Sequence, residues 1–560
     1  YFPGRLKFQA NGGKVFWDRA GLDMSVRAVL GKYEVKLDDG TRVEIASGRR
    51  LAHYRITFPE GTKGMILLDF PYGLYRQTDY LPLLTTSCIV ERVSVSRLEG
   101  ANHSEIFAPR DIYYVVGFDP SPSCIAELPH CSTDKSPRYV AEFFSGGTVE
   151  IKIALSSRSL EGARKNFAVE AAIEFDRRVA ETVDEWNGYL SRISFDGRSP
   201  NEKNSVATAL YHLFIQPNDI SDVDEKPRYS TFSLWDTFRD AHPLYEKLVP
   251  ELVVPFVESF LDHYDRWGYL PRWELWGRET NCMIGSHAVP VIVSAYQHGF
   301  RGFDVEKAYA AVKATLTNEE RPGSGKVYPR RTEWRIYDQY GYFPFDIVSR
   351  ESVSRTLECS YDDFCAAQFA RALGKMEDAL FFEKRSWGFT NLFDQTTLCF
   401  RGKDSNGNWR TPFDPADVAA TPDYTEGSAL QYSWYVLHRP EWLVRAMGGT
   451  QAFESRMDAF FAGTLCSGSP RNNTQDVTGI IGDYAHGNEP CHHIPAFYRF
   501  VDSPEKERAI VNRIMNDFYR SLPGGLCGND DCGQMSAWYL SRKLGGGEFW
   551  GLERATNDTR

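Results

Sequence analysis

The apolar pattern of this chain changes period once, and that change limits what the chain can fold into. Up to about residue 155, apolar residues alternate or run in short stretches: YEVKL at 33–37, RVEIA at 42–46, HYRITF at 53–58, MILLDF at 65–70, IYYVVGF at 112–118 and VEIKIAL at 149–155. Turn residues such as Asp38-Asp39-Gly40 separate them, a spacing that predicts a β-sandwich. From about residue 200 onward no strand pattern of any length remains, and helical period recurs about a dozen times, for example at 251–266 through Val253, Phe256, Val257, Phe260, Leu261 and Tyr264. Six helical hairpins closed in a ring would make an (α/α)6 toroid. Between the two regimes, Phe167, Ala171, Phe175, Val179, Val183, Trp186 and Leu190 fall at steps of three and four and predict one long helix. The expected organisation is a sandwich at 1–157 packed on the toroid, a linker helix at 158–200, and a helical catalytic domain at 201–560. Gly374 and Ser503-Pro504 are read as a helix stop and a capped helix start.

Composition narrows the function. The net charge is -11 with no basic run, which argues against nucleic acid. No apolar run reaches membrane-spanning length, and Tyr1 does not open a signal peptide. The 11 cysteines form no CxxC pair, so a zinc ribbon is not expected, and one thiol at least is unpaired within the chain. Aromatic residues reach 14%, and they gather in loops. The stretch 267–288, WGYLPRWELWGRETNCMIGSHA, interleaves Trp267, Trp273 and Trp276 with Arg272, Glu279, Asn281 and His287, and fits neither helix nor strand. Aromatic plates beside forked donors and acceptors suit a sugar.

Three further loops carry groups fit for chemistry. FSLWDTFRDAHP at 232–243 holds Trp235, Asp236 and Arg239, and DYTEGSALQYSW at 423–434 sets Glu426 among Tyr424, Tyr432 and Trp434. Apolar walls would raise the pKa of such a glutamate and keep it protonated as an acid, whereas the bland alternative is a first-turn helix glutamate. The last loop, in two pieces at 484–493 and 528–538, brings Asn488, Glu489, Asn529, Asp530 and Asp531 together with His486, His492 and His493. Oxygen ligands favour calcium over zinc, and there is no HExxH motif. Separated carboxylates, aromatic plates and a toroid point to glycoside hydrolysis, without choosing inversion or retention.

The segments YSTFSLWDTFR, GYLPRWELWGRETNCMIGSHA, ECSYDDFCAAQFARALGK, YTEGSALQYSW, HGNEPCHH and GNDDCGQMSAWY, in this order, closely resemble the calcium-dependent α-mannosidases of glycoside hydrolase family 92. The resemblance implies an exo-acting, inverting α-mannosidase on terminal α-linked mannose, of the α-1,2 class, in N-glycans or mannans. It implies Glu426 as general acid and Asp531 as general base, with Asp530 and Asn529 in the base motif. Ca2+ would be held by Asn488, through its carbonyl, and Glu489. Trp235, Asp236, Arg239, Trp276, Glu279, Asn281, His287, His492 and His493 would hold substrate. A secreted or periplasmic location follows. The alternative is a catalytically inactive mannose-binding protein that keeps the pocket. The chain departs from the family at Asn529, at Ser286, at the start of the sandwich and after Leu540, so that either a processed chain or a second polypeptide completing the sandwich is expected.

Overall fold

The computed structural model describes residues 7–11, 14–18, 25–70, 85–105, 109–128, 137–144, 146–324, 332–418, 422–466, 477–522 and 524–545. Of the N-terminal strands, eight form one antiparallel sheet in the order Ser25–Val29, Lys32–Lys36, Arg42–Ser47, Leu51–Phe58, Gly147–Ser156, Pro109–Asp119, Arg97–Glu105 and Thr85–Ser94. A second sheet has three strands, Cys124–Glu127, Arg138–Phe143 and Gly64–Asp69. Val43, Ile56, Phe58, Leu98, Tyr114, Val116 and Val149 of the first sheet meet Ile66, Ile125, Ala141 and Phe143 of the second in one core, so the domain is a sandwich. The Asp38-Asp39-Gly40 turn forms as read: Gly40 takes φ +86°, a value open to glycine, and its N–H donates to the Leu37 carbonyl at 3.0 Å.

The single linker helix of the sequence reading is two helices, α1 (Leu160–Glu170) and α2 (Phe175–Leu190). The chain breaks at 171–174 although the apolar phase continues through it. The Ala171 carbonyl is taken by the Lys152 ammonium at 2.9 Å, and Arg178 turns back to pair with Glu170 at 3.2 Å. Those contacts tie the end of α1 to the sheet, which Phe167 meets at Gly117. Asp222 then binds three parts together, accepting from Ser156 on the sheet at 2.9 Å and from Asn166 on α1 at 2.7 Å.

The remaining helices share one apolar core. The first of them, α3 (Pro200–Leu213), packs against the last, Gln534–Lys543, which closes the ring. This is a β-sandwich on an (α/α) toroid. Gly374 sits at φ +72° just past the helix Ser352–Ala372. Ser503 precedes Pro504 as read, but its hydroxyl is spent on Glu454 rather than on the helix end. Two short helices, Trp334–Tyr340 and Pro440–Ala446, escaped the sequence reading. So did short strands. Phe232–Ser233, Trp273–Leu275 and Arg278–Glu279 form a small sheet that joins two of the polar loops. The stretch 267–288 is therefore partly strand, a hairpin turned by Trp276 and Gly277 at φ +56° and +82°.

Candidate active site

Left-handed backbone at a non-glycine residue is uncommon, and here it gathers in the polar loops: Thr231, Trp276, Asn281, Met283, Glu426, Asp531 and Cys532 all have positive φ. The strained positions are held by hydrogen bonds. The Trp276 N–H donates to Ser230 Oγ at 2.6 Å. Glu279 is the staple of the hairpin: its carboxylate accepts from the N–H groups of Arg272 at 2.6 Å, Trp273 at 3.2 Å and Asn281 at 2.6 Å. Glu279 thus shapes the loop from inside, and Asn281 Nδ2 is left buried without a partner.

The loops converge on three carboxylates. Oxygens of Asp236, Glu489 and Asp531 all lie within 4.8 Å of one another. Asp236 comes from the short helix Leu234–Thr237, directly after the small sheet, and takes a hydrogen bond from the Ser233 hydroxyl. Glu489 opens a 3-10 turn whose first N–H is accepted by Asn488 Oδ1 at 3.2 Å. Asp531 stands in the left-handed bend before Gln534–Lys543. The Glu489 side chain is fully buried, and neither carboxylate oxygen has a hydrogen-bond partner. Burial first, then Asp531 and Asp236, push its pKa well above the usual carboxylate range. Asp236 is pushed up in the same way by burial, Asp531 and Glu426. Three acids this close together, two of them buried and Asp531 half-buried, resist ionising together unless a cation joins them. A hard-oxygen donor set with an orphaned, buried carboxylate fits Ca2+. Asn488, Glu489, Asp236 and Asp531 are the residues able to hold it.

Glu426 joins this group through Asn488, whose Nδ2 donates to the Glu426 carbonyl at 2.7 Å and to its Oε2 at 3.3 Å. Glu426 and Asp531 therefore both stand beside the Asn488–Glu489 pair, and Asp236 feels the charge of each. The other two residues of the base motif are placed differently. Asn529 is exposed. Asp530 caps the following helix, accepting from the Ser536 N–H at 3.0 Å and hydroxyl at 2.8 Å, and faces His212 at 3.8 Å.

Beneath the carboxylates lies a second buried layer built on Glu358 and Asp362, which the sequence reading left without a role; Trp235, Arg239 and His287, expected to hold substrate, pack onto it. Glu358, fully buried, accepts from Trp235 Nε1 at 2.9 Å and from the Tyr435 hydroxyl, and faces Arg239 at 3.6 Å. His287 sits between Glu358 and Asp362 at 2.7 and 2.8 Å. Arg239 Nε donates to the Trp235 carbonyl at 3.1 Å, while its buried Nη2 makes no hydrogen bond and only faces Glu358 at 3.6 Å. The signal that could have found this layer is the run of carboxylates in ECSYDDFC, with Glu358 and Asp362 four apart on one helix face. His492 is fixed between the His486 carbonyl at 3.0 Å and Gln534 at 3.2 Å, and His493 Nε2 donates to the Trp434 carbonyl at 2.9 Å. Both rings are buried and their pKa values lowered by that burial, so they brace the loop as neutral groups. Trp276 is half-buried, with the Arg110 guanidinium of the sandwich 5.7 Å from its ring, so sandwich and barrel meet at the site.

A sandwich on a helical toroid, with a carboxylate cluster at loops where the two meet, defines a protein of the glycosyl hydrolase kind. Residues 17–184 match the glycosyl hydrolase family 92 N-terminal domain, and residues 162–546 match the family 92 catalytic domain. The chain belongs to glycosyl hydrolase family 92. A family GH92 α-mannosidase from Bacteroides thetaiotaomicron superposes with a TM-score of 0.82 at 32% identity, over 93% of this chain and 72% of that one. A family GH92 inverting mannosidase from the same organism superposes with a TM-score of 0.80 at 25% identity, over 93% and 73%. A secreted glycosidase of Arthroderma benhamiae, itself uncharacterized, is 25% identical over 433 residues, 71% of this chain, and the chain spans 50% of its length. Among the described residues no helix is long and apolar enough to cross a membrane.

Proposed function

We propose that the chain is an exo-acting, inverting α-mannosidase, assisted by calcium, that removes terminal mannose of the α-1,2 class from N-glycans or mannans outside the cell or in the periplasm. The observation that carries this reading is the Glu489 carboxylate, buried and unbonded beside Asp236 and Asp531, with Asn488 tying it to Glu426. The relatives support the substrate class: one is named an α-mannosidase and has also been solved with mannoimidazole, another is named an inverting mannosidase, and a third is described as secreted.

In this reading Glu426 gives its proton to the leaving glycosidic oxygen, and Asn488 fixes the carboxyl for that transfer. Asp531 takes a proton from the attacking water. Arg239 Nη2, which faces Glu358 but makes no hydrogen bond, offers an N–H to a sugar hydroxyl, and Glu358 keeps that guanidinium from turning away. Asn488, Glu489 and Asp236 would hold calcium, which would supply positive charge to polarise the bound sugar. The test is release of mannose from an α-1,2-linked mannobiose with and without a chelator. Release that chelation stops and calcium restores supports the reading. Release unchanged by chelation defeats the calcium assignment, and binding without any release leaves a mannose-binding protein.

A further inference from the structure

Where the sandwich, α2 and α3 meet, a cavity of about 400 Å³ opens, within the roughly 300–1,000 Å³ range of ligand pockets. It is not the site described above. The two-residue strand Tyr229–Ser230 divides them, because neighbouring strand residues point to opposite faces: the Ser230 hydroxyl holds Trp276 of the site loop, while Tyr229 lines the cavity.

Its walls are aromatic. Trp186 of α2 lies against Tyr211 of α3 with ring centroids 4.6 Å apart, and Tyr189 lies against Phe214 at 4.9 Å. Among the described residues, the Trp186 indole N–H and the hydroxyls of Tyr189 and Tyr229 make no hydrogen bond. The Tyr229 hydroxyl is pushed up to about 12, chiefly by burial and then by Asp219 and Tyr189, and all three side chains line the cavity. Charge arrives as a balanced group: Arg49 pairs with Glu185 at 2.5 Å and reaches Asp219 at 3.9 Å, and Asp219 also pairs with Arg50 at 3.4 Å.

That combination selects a ligand class. An apolar ligand would strand the phenol and indole donors, each at a cost. A multiply charged ligand would meet charges already neutralised by one another. A hexose offers an apolar C–H face for the rings and hydroxyls that both give and accept hydrogen bonds. We propose that this cavity is a second, non-catalytic carbohydrate site that holds a hexose unit of the same glycan chain whose end is cleaved. The identity of that glycan rests on the mannosidase reading; the presence of a sugar site does not.

The experiment titrates α-mannobiose into the Glu426→Gln variant by calorimetry, then into Glu426→Gln carrying Trp186→Ala or Tyr229→Phe. Two binding sites are expected in the first, with the second site lost with Trp186→Ala and weakened several-fold by Tyr229→Phe, which removes one oxygen and leaves the ring packing. With Glu426 intact, both variants should hydrolyse an aryl α-mannoside within two-fold of wild type, while KM for mannan rises several-fold. A single site in every variant, or an unchanged KM for mannan with Tyr229→Phe, overturns the proposal. Absence of aryl-mannoside turnover in the wild-type chain counts against the mannosidase reading alone, because the Trp186-dependent site is still read by titration.

Discussion

His287 and Glu358 face each other at 2.7 Å, Nε2 to Oε2, and neither side chain is exposed. Burial alone would drive the imidazole to its neutral form, but Asp362 and then Glu358 outweigh it and carry its pKa up to about 9. A buried cation between two carboxylates, with Phe238 stacked on its ring at 4.2 Å, fixes the floor under Trp235 and Arg239.

The folded pKa lies above the usual value of roughly 6.5, so the stabilisation is fully present below that value and is lost as pH rises through about 9. Thermal unfolding of the calcium-loaded protein should therefore fall between these two limits. In His287→Gln that part of the slope should disappear, and the protein should lose about 3–5 kcal/mol at neutral pH, the cost typical of breaking a buried pair. An alkaline slope identical in the two proteins would exclude a charged His287.

Glu426→Gln removes the proposed proton donor and keeps the bond to Asn488 possible. Turnover of an alkyl α-mannoside should drop by about 10²–10⁴-fold. An aryl mannoside with a good leaving group needs less protonation and should lose much less. Equal losses on both, measured as kcat, would assign Glu426 to binding rather than to acid catalysis.

The carboxylate cluster carries the opposite pH signature with and without metal. Glu489 and Asp236 have folded pKa values raised first by burial and then by Asp531, with Asp236 adding to Glu489 and Glu426 adding to Asp236. In the calcium-free chain their contribution is present below the ordinary carboxylate range and lost as pH climbs through the raised values. Relative to Glu489→Gln, the calcium-free wild type should thus gain stability on mild acidification. Calcium should reverse this, adding about 2.7 kcal/mol at a hundredfold excess over Kd and adding less as pH falls. Melting curves of Glu489→Gln that respond to calcium as the wild type does would remove Glu489 from the metal site.

Glu279 makes its contribution through three loop N–H groups. Glu279→Ala should strand them and cost about 1–3 kcal/mol for each amide left dry. Because the carboxylate serves the backbone, KM should rise through loss of loop order, which hydrogen exchange at 272–281 would register as faster exchange. Unchanged exchange with a higher KM would instead mean that Glu279 meets the sugar itself.

Much of the architecture is legible in the sequence because periods of 2 and 3.6 residues differ so plainly. The break at 171–174 was hidden: Phe167, Ala171 and Phe175 keep helical phase across it, and the contacts that end α1 come from Lys152 and Arg178. At the site, composition located the loops but not the direction of each side chain. Glu279, His287, His492 and His493 were expected to face sugar, and the structure turns them towards backbone or buried carboxylates. Asp236, expected to hold sugar, also groups with Glu489 and Asp531. Loop sequences rich in Trp, His and Glu look alike whether a polar group meets a ligand or an amide, since burial satisfies both by the same hydrogen bonds.

In the proposed mechanism Glu426 and Asp531 act as acid and base across one terminal mannose. Proton NMR of the first sugar released from an α-linked mannobiose in calcium tests it directly. The account predicts β-mannose first, mutarotating later to the equilibrium mixture. α-Mannose as the first product would contradict it.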